Sequence, residues 1–366
     1  MEDKKIFVSR FAKIPNCYPS ITEALNNVLT DNDEPVTICI APGTYREKIT
    51  IDRPFVTLKG VGNSNEDTVI TYGDYANKVM NDGMKMGTFR SYSVFIDAHD
   101  VTLKNLTIEN DSGDSATHGQ ALALYADGDR LVVDSCRLIG HQDTLFTGPL
   151  PPKEVQKNGF IGPKQYAPRI NGRHYYKNCY ICGDVDFIFG GATAYFENCV
   201  IESLKRFEDE TEQNGEDVSQ KAETETKIQG YVTAASTPEG QEYGYVFSHC
   251  DIISKDCKEN TVYLGRPWRE YAKTVFMDCS FGKHIRPELF HDWNKENARK
   301  TVFYAICDCV REVEGESAVS IGSSPVSGES VLFPQKADFV QELSKEQAAA
   351  FAKERVLCGE DGWLPD

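Results

Sequence analysis

No stretch of this 366-residue chain strings together the roughly eighteen apolar residues that a membrane-spanning helix needs, so a membrane partner is not expected. Basic residues are in short supply. Lys and Arg number 39 against 56 Asp and Glu, a formal net charge of −17, and general nucleic-acid binding, which needs clustered cations for phosphate contacts, is excluded on that balance. The segment from Met1 to Pro15 has charges but lacks an apolar core followed by a small-residue cleavage site. A cytoplasmic location is therefore the expectation, unless a leader has been trimmed, with the twelve cysteines kept as thiols. A Gly-x-Ser-x-Gly elbow is also missing, which leaves His141 beside Gln142 and Asp143 without a serine nucleophile to serve. Cys179-x-x-Cys182 has neither a second pair nor a histidine set, and Cys307-x-Cys309 is no stronger, so no metal or other cofactor is expected. Asn-Gly turns between paired alternating runs, the signal of hairpin-built sandwiches, are scarce.

What the chain does contain is a repeat. The segments 101–108, 131–139, 175–181, 194–201, 245–252 and 274–281 share an apolar run, a polar residue and a further apolar alternation. Their alignment places Leu106, Cys136, Cys179, Cys199, Cys250 and Cys279 at one position, at intervals of 30, 43, 20, 51 and 29 residues. A minimum near 20 with irregular excess is the spacing of a solenoid whose coils need a fixed strand length while loops leave from the corners. The expected fold is all-β, a right-handed parallel β-helix with helical caps, the aligned cysteines stacking inward as small apolar groups. One cap is expected at Ser20-Ile21-Thr22-Glu23, a capping box ahead of Ala24, Leu25, Val28 and Leu29; the other is a helix from Ser344 to Arg355. Residues 1–366 read as one domain, working as a monomer. An acidic loop at about 205–228 interrupts it: Phe207 to Thr226 holds eight acids and one base.

Four clusters fit a packing role poorly: Gly119 to Leu124, Gly140 to Phe146, Gly183 to Gly191 and Tyr263 to Trp268. Each adjoins a repeat strand, so stacked coils can gather them. Asp186 stands between Val185 and Phe187-Ile188-Phe189, and a carboxylate among apolar neighbours is costly unless paired. Arg266, in a Gly-Arg-Pro-Trp turn, is the candidate partner. Asp184 reads as a turn residue. Phe187, on the opposite strand face from Asp186 and Ile188, is assigned to the core.

These clusters, with Gly43-Thr44-Tyr45-Arg46-Glu47 ahead of them, occur in the order seen in the pectin methylesterase family, which the sequence resembles over most of its length. The matching elements are Gln120-Ala-x-Ala-Leu, Gln142-Asp143-Thr144-Leu145, Asp186-Phe-Ile-Phe-Gly190 and Leu264-Gly-Arg-Pro-Trp268. The resemblance implies the parallel β-helix and hydrolysis of C6 methyl esters in pectin or oligogalacturonides. It implies Asp186 as nucleophile and Asp143 as general acid and then base. Gln120 and Gln142 would stabilise the oxyanion, and Arg266 would orient Asp186. It further implies sugar contacts from Trp268, Phe146 and Phe189, and substrate binding near Thr44. Phe146 departs from the family's usual tyrosine, and the segment after Thr301 diverges from the family ending. The insertion at 149–172 is expected to form a loop beside the cleft.

Overall fold

The computed structural model describes residues 4–11, 14–207, 227–312 and 333–366; most of the acidic loop expected at 205–228 lies outside them. Among the described residues, parallel strands stack into three sheets of twelve, nine and seven strands. Each coil visits the three in turn: Arg137–Ile139 in the second sheet is followed by Leu145–Thr147 in the third and Arg173–Lys177 in the first. This is the expected right-handed parallel β-helix.

The repeat has a backbone cause. At the corner between the first and second sheets, Asn105, Ser135, Asn178, Asn198, His249, Asp278 and Asp308 adopt φ between 48° and 55°, a left-handed conformation that short polar side chains tolerate best. Each is followed by a side chain turned into the core: Leu106, Cys136, Cys179, Cys199, Cys250, Cys279 and, one coil beyond the aligned set, Cys309. From Cys179 onward the thiols lie at 3.2–3.6 Å from carbonyl oxygens in the preceding coil, Cys179 to Val133 and Cys279 to Phe247 for example. All twelve cysteines are unbridged. Beside this ladder Tyr176, Phe196, Phe247 and Phe276 pile ring on ring with centroids 4.4–4.6 Å apart. Successive coils place like side chains one above the other because strand pairing is parallel and in register.

The amino-terminal helix spans Ile21–Asn26, shorter than its apolar pattern. Ser20 accepts from Glu23 N as expected, while the Glu47 carboxylate accepts from the backbone of Ile21 at 3.1 Å and of Thr22 at 3.0 Å. Leu29 falls past the helix end and is exposed rather than packed. The expected helix from Ser344 to Arg355 is broken into Lys345–Ala348, a 3-10 turn Ala349–Phe351 and Lys353–Leu357, because Ala352 is extended at φ −60° and ψ 146°. Its Val356 and Leu357 pack on Tyr175, Tyr195 and Val246, on the outer face of the twelve-stranded sheet.

Candidate active site

The corner between the second and third sheets gathers the sequence clusters. There the chain leaves Thr107–Asn110, Arg137–Ile139 and Tyr180–Gly183 and enters Leu124–Ala126, Leu145–Thr147 and Val185–Gly190. Backbone rungs tie the corners together: Ala121 N donates to Gln142 O at 3.0 Å, and Asp143 N donates to Val185 O at 3.1 Å. Leu145 pairs with Ile188. Asp143 and Asp186, each two residues ahead of that pair, therefore stand one above the other at the same position along neighbouring coils. Gln142 adjoins Asp143, and Gln120 occupies the corner one coil below.

Asp186 sits in a β-bulge. The register with Gly230–Ala235 slips between Val185 and Ile188, and Asp186 has φ 52°. The slip turns the carboxylate toward the outer corner and breaks the alternation expected of the strand. Phe187 and Ile188 both enter the main core, so Ile188 does not share a face with Asp186 as strict period-two reasoning requires. Asp143 is likewise left-handed, at φ 67°. Both aspartates are only 7% exposed.

Arg266 reaches Asp186 from two coils away and binds it as a fork, Nε to Oδ1 at 2.8 Å and Nη2 to Oδ2 at 2.7 Å. The guanidinium lies between two rings, 3.9 Å from the Tyr231 centroid and 3.8 Å from that of Trp293. Burial raises the carboxyl of Asp186 above its ordinary range, and Arg266 opposes that rise. Asp143 has no such fork. Burial, joined by the charge of Asp186, pushes it up further. Across a span of pH, then, one carboxyl is charged and its neighbour holds a proton. Removing the cation tests the pairing: Arg266→Met is expected to lower the free energy of urea unfolding by about 3–5 kcal/mol, since it strands a buried carboxylate. Adding Asp186→Asn to that variant is expected to recover most of the loss. An unchanged urea midpoint in the single variant would contradict the pairing.

Asp184 closes the turn between Tyr180–Gly183 and Val185–Gly190, as expected, and is buried there. It accepts from Ser115 Oγ and from Val185 N, and His141 Nδ1 lies 3.6 Å away. Ser115 thus donates to an aspartate directly, with no histidine between them, which excludes a serine-histidine relay at this corner.

Three of the expected substrate contacts need correction. Phe146 is 0% exposed and Phe189 4%. They do face outward from the third sheet, in register with Tyr125, but Phe89 and Trp268 pack against both, and the insertion's Phe160 packs on Phe89 and Trp268 in turn. Their rings form an apolar floor rather than a sugar platform. Trp268 lies partly exposed over that floor, its centroid 5.5 Å from that of Phe189. The insertion at 149–172 does lie beside the site, for Arg269 in the Trp268 turn donates to Lys153 O at 3.2 Å. Thr44 is exposed on Gly43–Arg46 at the edge of the nine-stranded sheet, three strands from Arg137–Ile139. At the usual strand spacing that is roughly 14 Å from the coil of Asp143, so the fold does not bring Thr44 to the carboxylates. Sequence reasoning also missed Tyr231, Trp293 and Lys295. The available signal was scarcity: the chain has three tryptophans, and two of them, Trp268 and Trp293, stand here.

The Pectinesterase family model matches residues 12–149 and 166–317. Pectinesterase 31 of Arabidopsis thaliana is 31% identical over 295 residues, 78% of this chain and 77% of the relative. Pectinesterase QRT1 of the same plant is 30% identical over 352 residues, 94% of this chain and 75% of the relative. Among solved structures, a pectin methylesterase in complex with a hexasaccharide superposes with a TM-score of 0.72 at 25% identity, covering 98% of both chains. The cytoplasmic location expected from the amino-terminal residues does not stand beside these relatives, because pectinesterases act on pectin outside the cell.

Proposed function

This chain belongs to the pectinesterase family, and on that premise we propose that Asp186 and Asp143 divide the work of ester cleavage as nucleophile and general acid/base. It is a carboxylic ester hydrolase that releases methanol from the methyl esters of pectin. The finer assignment rests on one observation: two buried carboxylates stand one above the other at the same position of adjacent coils, and an arginine fork engages only Asp186.

In the proposed sequence, an oxygen of ionised Asp186 attacks the ester carbonyl. Negative charge then develops on the carbonyl oxygen, and the uncharged amides of Gln142 and Gln120 donate to it without titrating. As the carbonyl reforms, the bond to the methoxy oxygen breaks, and Asp143 delivers its proton so that methanol leaves. The mixed anhydride so formed is attacked by water, whose proton passes to the now ionised Asp143. Cleavage returns Asp186 as a carboxylate and Asp143 as an acid, and the new galacturonic acid gives its proton to solvent. Trp268, over the apolar floor, is proposed to stack on a sugar ring of a methylated pectin oligosaccharide. The working unit is proposed to be a single chain.

The test is the pH dependence of kcat for methanol release. Activity is expected to rise with pH as Asp186 ionises and to fall again as Asp143 loses its proton, with both limbs above the ordinary carboxyl range because burial raises both groups. A rate that climbs to a plateau without an alkaline limb would remove the acid from the proposal.

A further inference from the structure

Lys295 is absent from the sequence motifs and from the steps above, yet it stands against the turn that carries Arg266. Its ammonium donates to Pro267 O at 2.7 Å and to Trp268 O at 3.2 Å. It also lies 4.1 Å from the Trp293 centroid, and the same ring system meets Arg266 at 3.8 Å. Beyond Arg266 the column continues through Tyr231 to Tyr263, stacked at 5.5 Å and 7°, with Arg286 lying 5.2 Å from the Tyr263 centroid. Cations and rings are thus packed together from Lys295 to Arg286, and the arginine that binds Asp186 is in the middle.

A planar guanidinium between two ring faces is held well along the stacking direction and poorly within its own plane. Sliding in that plane moves Nε and Nη2 relative to the carboxylate, the motion that would loosen the fork to Asp186. The backbone of the Gly-Arg-Pro-Trp turn is what opposes such sliding, and Lys295 is the side chain that binds this turn's carbonyls at two consecutive residues. We propose that Lys295 is a positioning residue for the nucleophile: by clamping the Pro267 and Trp268 carbonyls and backing Trp293, it holds Arg266 in place on Asp186.

The charges around Lys295 fit this role. Burial, with Arg269 and Arg266 adding to it, brings the ammonium down to about 8, while Asp186 and Glu270 act in the opposite sense. Reciprocally, the carboxyl of Asp186 is raised by burial and held back by Arg266 first and by Lys295 after it. A positive Lys295 therefore favours the ionised nucleophile as well as fixing its partner.

The inference rests on Asp186 being the nucleophile, and that reading has its own failure, which is full activity in Asp186→Ala. Here the measurement is methanol release against pH for wild type, Lys295→Met and Lys295→Arg, with Lys295→Gln as a second neutral variant should the methionine variant not fold. The neutral variant is expected to lose roughly 10- to 100-fold in kcat, the scale of a small misplacement of a reacting group, with KM changed much less. Its acid limb is expected to move to higher pH by about one pH unit as a nearby cation is lost. Lys295→Arg is expected to restore the position of that limb. A neutral variant with wild-type kcat, or one whose kcat falls while the acid limb stays in place, would overturn the proposal, the second outcome marking Lys295 as structural only.

Discussion

Asp186→Ala is expected to lose methanol release from methylated pectin by about 10⁴-fold or more, because removing a nucleophile from a set of residues that act as a unit leaves only binding and oxyanion stabilisation. Asp186→Asn is the better-matched variant. At φ 52° the position suits asparagine, whereas alanine would carry a left-handed backbone without a polar side chain to compensate. The asparagine also keeps an oxygen within reach of the Arg266 fork. Both variants are expected to retain affinity for methylated oligogalacturonides, since Trp268 and its aromatic floor do not depend on the carboxylate. That separation gives the test its force: binding kept and turnover lost places Asp186 in the chemistry. Release undiminished in either variant would sink the nucleophile assignment and leave Asp186 as a structural partner of Arg266.

The cysteine ladder was legible because each coil repeats one local event, a left-handed corner residue followed by a small buried side chain, and the same event recurs at Asp308 and Cys309, one coil beyond the aligned set. Asp186 and Arg266 were legible as a pair because an isolated carboxylate in an apolar run demands a cation, and only one arginine lay in a comparably constrained turn. The bulge was not legible. It depends on pairing with Gly230–Ala235, more than 40 residues later, and it is what sends Ile188 into the core beside Phe187. Phe146 and Phe189 were misread for a related reason. The resemblance alone pointed them at the sugar, whereas Phe89, which packs against both, and the insertion's Phe160, which packs on Phe89, have no fixed position until the chain is folded. Trp293 and Lys295 lie 27 and 29 residues after Arg266 without a spacing rule to connect them, and only the stacking of cation on ring in three dimensions reveals the link.

Asp143→Asn is expected to separate activity from stability. Loss of the acid that protonates departing methanol, and of the base that activates water, is expected to lower kcat by about 10²–10⁴-fold and to remove Asp143 from the alkaline limb of the pH profile, leaving there only the loss of the Lys295 charge near pH 8. The same change is expected to stabilise the fold at neutral and alkaline pH. Burial, aided by the charge of Asp186, raises this carboxyl in the folded chain above its value in the unfolded chain. The folded state therefore holds the proton more tightly. That contribution is complete below the unfolded pKa, shrinks as pH rises toward the folded pKa, and is gone above it. Asparagine at 143 has no charge to bury and tolerates φ 67°, so it escapes this loss. Thermal unfolding across pH is expected to show similar midpoints for variant and wild type below the unfolded carboxyl pKa, and a midpoint for the variant that pulls ahead as pH rises above it. A variant that is less stable at every pH would mean that Asp143 makes a structural interaction stronger than its burial cost, and would weaken its assignment as a group kept protonated for catalysis.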